Sequence, residues 1–84
     1  MHEGTVVREI MDIVSESAIQ NQIKKVYEIV LRIGPYSCIN ERQLNWYFEI
    51  LRQETCMEEA VILLEKDESL TGVNQMYIKT FKGE

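Results

Sequence analysis

His2 is the only histidine in this 84-residue chain, and it stands next to the amino terminus in the opening run Met1-His2-Glu3. Those residues bring several nitrogen donors within one or two peptide units: the α-amine of Met1, the backbone amides of His2 and Glu3, and the His2 imidazole. Once the amides deprotonate, fused chelate rings can hold four nitrogens in one plane. Such a set suits Ni(II) or Cu(II) far better than zinc or magnesium. The Glu3 carboxylate could add an outer ligand or accept a hydrogen bond that steadies the site. Met1, His2 and Glu3 are therefore the candidate metal residues. The same residues also fit a plainer reading, in which His2 is one exposed side chain on a frayed terminus.

The composition narrows what else the chain could do. A net charge of −5 argues against a phosphate-binding surface, which needs clustered Lys and Arg, and Lys24-Lys25 is the only basic pair. No apolar run approaches a membrane span, and there is no signal-peptide pattern, so the chain reads as cytoplasmic. Its cysteines, Cys38 and Cys56, fit a compartment where thiols stay reduced. With no second histidine and no glycine-rich phosphate loop, nothing points to an enzyme; Glu58-Glu59 and the Glu65, Asp67, Glu68 group read as solvated edges.

One small domain must position the terminus. Residues 5–20 carry Val6, Ile10, Ile13, Val14 and Ser17 on one stripe, widened by Val7, Met11 and Ala18, which predicts an amphipathic helix. Thr5 is its expected N-cap and Asn21 its expected end, leaving the metal residues on a short tether through Gly4. Residues 25–33 read as a strand whose row Tyr27, Ile29, Leu31, Ile33 faces the helices, stopped by Gly34-Pro35. Asn40 followed by Gln43 is a capping-box pattern that opens a second helix over 40–54, with Leu44, Tyr47, Phe48 and Leu51 as its core stripe. That helix separates Cys38 from Cys56 too far for a disulfide. Strands follow at 59–65 and 75–82, the latter with Met76, Ile78 and Thr80 alternating with Tyr77, Lys79 and Phe81, and they are expected to pair antiparallel. The predicted class is α+β: two helices on one face of a small mixed three-stranded sheet, in the order α-β-α-β-β.

Taken in order, these features resemble the HypA/HybF family of nickel metallochaperones. The resemblance rests on Met1-His2-Glu3 with Thr5, the helix that follows, Val30-Leu31-Arg32-Ile33-Gly34, and the stretch ERQLNWYFEILRQET with Ser37, Phe48 and Thr55 at matching positions. It continues through Leu70-Thr71-Gly72 into Gln75-Met76-Tyr77-Ile78-Lys79 and so covers nearly all of residues 1–84, a single HypA-like nickel-binding domain. It implies Ni(II) bound at the amino terminus through His2 and neighbouring backbone nitrogens, with Glu3 modulating the site. It further implies a HypB-like GTPase partner and delivery to [NiFe]-hydrogenase or urease maturation. One departure is large. The family's zinc lobe carries two Cys-x-x-Cys pairs, whereas this chain has none and bridges the position with KDESLTGVN, residues 66–74. No zinc is therefore predicted.

The alternative is a protein-interaction or regulatory module that keeps the fold without metal delivery. It would use the open sheet face, with Tyr77, Phe81, Val26 and Val30 as contacts. A homodimer through that face, or through edge strands at 59–65 or 25–33, is also compatible with the pattern.

Overall fold

The computed structural model describes residues 2–84. Helix α1 (Glu3–Gln20) leads into strand β1 (Val26–Ile33), helix α2 (Glu41–Leu51), strand β2 (Val61–Lys66) and strand β3 (Met76–Gly83), the predicted α-β-α-β-β order. The strands form one mixed sheet in the order β2-β1-β3, with β1 parallel to β2 and antiparallel to β3. Both helices cover the same face of it. Val7, Ile10, Val14 and Ala18 from α1 and Leu44 and Phe48 from α2 close over Ile29, Leu31, Ile33 and Ile62. No helix among the described residues is long and apolar enough to cross a membrane.

The sheet order corrects one expectation. The last two strands are not hydrogen-bonded to each other, because β3 pairs with β1. The physical reason is burial: β1 is the most apolar strand and is hidden along most of its length, so it takes the centre and both neighbours. Residues 26–33 consequently have no free edge; the edges are β2 and β3. The β2 edge is itself covered at Ile62, where the Asn45 side chain accepts from the Ile62 amide at 3.2 Å and donates to its carbonyl at 3.1 Å. A strand edge satisfied by a side chain is a poor template for another chain.

Two irregularities in the pairing re-aim side chains that simple alternation misplaces. One lies between Val26 and Glu28, and the other between Val30 and Leu31. Across the first, Val26 turns into the core while Tyr27 faces out, where its hydroxyl donates to Glu84 Oε1 at 2.6 Å. Across the second, Phe81 joins Met76 and Ile78 against the core, and Thr80 faces solvent. Val26 and Phe81 are therefore core residues rather than open-face contacts. Of the expected contacts the uncovered face keeps Tyr77, joined by Val61 and Leu63, while Val30 is buried. In α1, Ile13 falls off the buried stripe and is exposed, because the stripe runs Val6-Ile10-Val14-Ala18. The helix ends in a Schellman motif: Ile23 N donates to Ala18 O at 2.8 Å and Gln22 N to Ile19 O at 3.2 Å. The left-handed residue of that motif is Gln22, with φ of 57°, not Asn21.

The connection at residues 67–75 crosses the end of β1 and is organised by Asp67. Asp67 N donates to Ile33 O, its Oδ1 accepts from the Ser69 amide and hydroxyl, and its Oδ2 accepts from the Tyr77 hydroxyl. Leu70 O then lies so close to Gly34 that a Cβ there would sit 1.9 Å from it. Gly34→Ala must displace that backbone, so it is expected to lower unfolding stability by about 1–3 kcal/mol in a denaturant titration. The Ser69 hydroxyl chiefly, then the Ser69 amide, the Tyr77 hydroxyl and the Arg32 charge, hold the Asp67 carboxyl below the usual carboxylate range. A depressed carboxyl pKa contributes stability that is complete above the unfolded-state value and is lost as pH falls through the folded-state value. Asp67→Asn should therefore flatten the acid limb of the stability–pH curve, measured by thermal melts below neutral pH.

Candidate metal centre

The candidate residues sit at the first turn of α1. The helix already includes Glu3, with His2 as N-cap, so neither the expected Thr5 cap nor the expected tether through Gly4 exists. The reason is local. His2 O accepts from Thr5 N at 3.1 Å and Val6 N at 3.3 Å, which starts the helical ladder two residues earlier. Gly4 packs within α1 against Tyr47 of α2, whose Cε1 would lie 3.5 Å from an added Cβ.

His2 and Glu3 face different surroundings. The His2 side chain is exposed and makes no capping hydrogen bond, so its imidazole is free of protein partners among the described residues. The backbone amides before Thr5 belong to the set at a helix start that has no intrahelical acceptor. Glu3, only 8% exposed, turns its carboxylate inward, where Oε2 accepts from Asn40 N at 3.4 Å. Asn40 in turn caps α2, its Oδ1 accepting from Gln43 N at 3.0 Å. Half of the expected capping box is thus present. The Asn40 amide is taken by Glu3 from the other helix rather than by the Gln43 side chain. A carboxylate here lies at the positive ends of both helix dipoles.

The two helices leave an open groove of about 410 Å³ beside this turn, lined by His2, Thr5, Arg8, Gln43 and Tyr47 among others. Among the described residues no group of three or more His, Cys, Asp or Glu side chains converges as a metal site. Cys38 is exposed, Cys56 is half-buried, and both are free. Any ion at this turn would have to be held mainly by backbone and terminal nitrogens. Met1, the remaining candidate, lies outside the described residues. Asn40 and Tyr47 were visible in the sequence only as a cap and a core residue; nothing in their spacing shows that they meet the first turn of α1.

The profile described as "Hydrogenase/urease nickel incorporation, metallochaperone, hypA" matches residues 1–75. The chain belongs to the HypA family. That is a family of nickel metallochaperones for hydrogenase and urease maturation rather than of enzymes. The hydrogenase maturation factor HypA of Actinobacillus succinogenes is 36% identical over 62 residues, covering 74% of this chain and 55% of that protein. That of Psychromonas ingrahamii is 33% identical over 75 residues, covering 89% and 65%. The chain thus spans between about half and two thirds of the length of these relatives. Its fold is that of the solution structure of the Ni metallochaperone HypA from Helicobacter pylori, with a TM-score of 0.79 at 19% identity over 99% of this chain and 97% of that one. A second solution structure of HypA gives 0.76 at 22% identity over 100% and 97%.

Two substitutions check the geometry of the turn. Gly4→Ala meets Tyr47 at ordinary contact distance and removes a flexible residue from a helix, so it should stabilise the chain by about 0.5–1 kcal/mol. Glu3→Ala leaves the Asn40 amide without its carboxylate and should cost about 1–2 kcal/mol. Chemical denaturation reads both.

Proposed function

We propose that this chain binds Ni(II) at Met1-His2-Glu3 and hands it on during hydrogenase or urease maturation. The observation that carries the reading is the state of His2: an exposed imidazole at the N-cap of α1, beside amides that the helix leaves without acceptors. Recruiting those amides breaks no helical hydrogen bond. Two deprotonated amides also neutralise a doubly charged ion, and the positive end of the helix dipole favours the amidates. The Glu3 carboxylate, held by Asn40, acts as an orienting group, while the Glu3 backbone nitrogen remains available to the metal.

An exposed terminal site suits a carrier, because releasing the ion disturbs no core packing. Protonation of imidazole and amine supplies a release step, since both must be deprotonated to bind. The receiving partner in this reading is a HypB-like GTPase or another maturation protein. Structural zinc is not part of this reading, since the chain carries no Cys-x-x-Cys pair and its two cysteines lie on either side of α2.

A role in protein interaction without metal traffic has one observation in its favour, the exposure of Val61, Leu63 and Tyr77 on the uncovered sheet face. A Ni(II) titration of the untagged protein, followed by absorbance, separates the two readings. The nickel reading expects a square-planar d–d band that saturates near one equivalent. That band should vanish in His2→Ala and in a variant carrying one extra residue before Met1. Equal binding by His2→Ala would remove the terminal site and leave the interaction reading.

A further inference from the structure

We infer that the outer face of α2 beside the first turn of α1 docks an acidic segment of the protein that receives the metal. The surface is built from Arg8, Arg42, Gln43, Trp46 and Tyr47. Two adjoining recesses share Gln43: the groove containing His2, Arg8 and Tyr47, and a second of about 330 Å³ formed by Asn40, Arg42, Gln43 and Trp46.

Charge is the first argument for the occupant. The chain carries a net charge of −5, yet the only carboxylate lining either recess is Glu3, which is buried against Asn40. Elsewhere most of the cations are engaged, Lys24 and Lys66 being the exceptions among the described residues. Lys25, Arg32, Lys79 and Lys82 stand in ion pairs, and Arg52 turns inward to Ala60 O and the Phe48 ring. Arg8 and Arg42 make no ion pair or hydrogen bond among the described residues. Two unengaged guanidiniums at one site favour a partner that brings carboxylates, which they can take in bidentate fashion.

The second argument is the anchor. Trp46 is 55% exposed on a helix whose core positions are Leu44 and Phe48, so it contributes little to the interior. Its ring is held edge-on to Tyr47, with centroids 5.0 Å apart and planes at 79°. An exposed, positioned tryptophan beside Arg42 has the composition of an interface hot spot. A partner seated there would occupy the recess that adjoins the His2 groove through Gln43. Naming that partner as the metal's recipient rests on the nickel reading; the docking itself does not.

Trp46 is the chain's only tryptophan, so its fluorescence reports on this surface alone. The test titrates the full chain with a short, blocked peptide of glutamates around a central leucine, and separately with its lysine counterpart. Calorimetry runs alongside, so that a silent chromophore cannot hide binding. The expected result is saturable binding of the acidic peptide only, weakened at least about tenfold in Arg8→Ala/Arg42→Ala and by high salt. Trp46→Ala should weaken it comparably by calorimetry. No binding of the acidic peptide, equal binding of the lysine peptide, or full binding by the double arginine variant would overturn the proposal. A Ni(II) titration of the double variant keeps the two claims apart. Normal nickel binding with lost peptide binding supports docking. Retained nickel binding in His2→Ala with intact peptide binding contradicts only the nickel site.

Discussion

The burial of β1 is the constraint on which the rest of the molecule depends. Val26, Ile29 and Leu31 are almost wholly hidden, so the strand must have a neighbour on each side and a helical layer above it. α1 and α2 supply that layer from the same face, and their first turns meet where Glu3 reaches the Asn40 amide. The amino-terminal histidine is thereby fixed beside α2 instead of trailing from a loose leader. Packing far from His2 decides where that residue stands.

The connection at residues 67–75 shows a second use of that centre. It carries the chain across the end of β1 to reach the opposite edge of the sheet, and Gly34 is the residue over which it passes. Asp67 holds it with hydrogen bonds to Ser69 and Tyr77 and with an ion pair to Arg32, whose guanidinium also meets Glu65. Short polar contacts close the loop. The exposed sheet face and the groove beside His2 lie on opposite sides of the sheet, so whatever covers one leaves the other open.

Much of this was legible in the sequence. The apolar spacing of residues 6–18, the β-branched run of 26–33 and the Asn40 cap each carry a strong local signal, and all three elements formed where that signal lay. The place of β3 was not legible, because no local pattern distinguishes a β2–β3 hairpin from a crossover over β1. Nor were the two register irregularities, which exchange Val26 for Tyr27 and Phe81 for Thr80 on the core side. At the candidate centre, the sequence singles out His2 as the lone histidine, and the structure adds that it is the exposed N-cap of α1. The start of α1 at Glu3 was not legible, because a glycine at the next position argues locally against a helix that packing against Tyr47 then stabilises.

Backbone amide NMR of the chain with one equivalent of Ni(II) would read the proposed site residue by residue, since square-planar Ni(II) is diamagnetic and leaves the spectrum readable. The His2 and Glu3 amide signals are expected to disappear through deprotonation. Thr5, Val6 and Asn40 should shift, and the amides of β1 should stay in place. Retained His2 and Glu3 amides, or perturbations centred on Cys38, Cys56 or the Glu58-Glu59 turn, would contradict the proposed site.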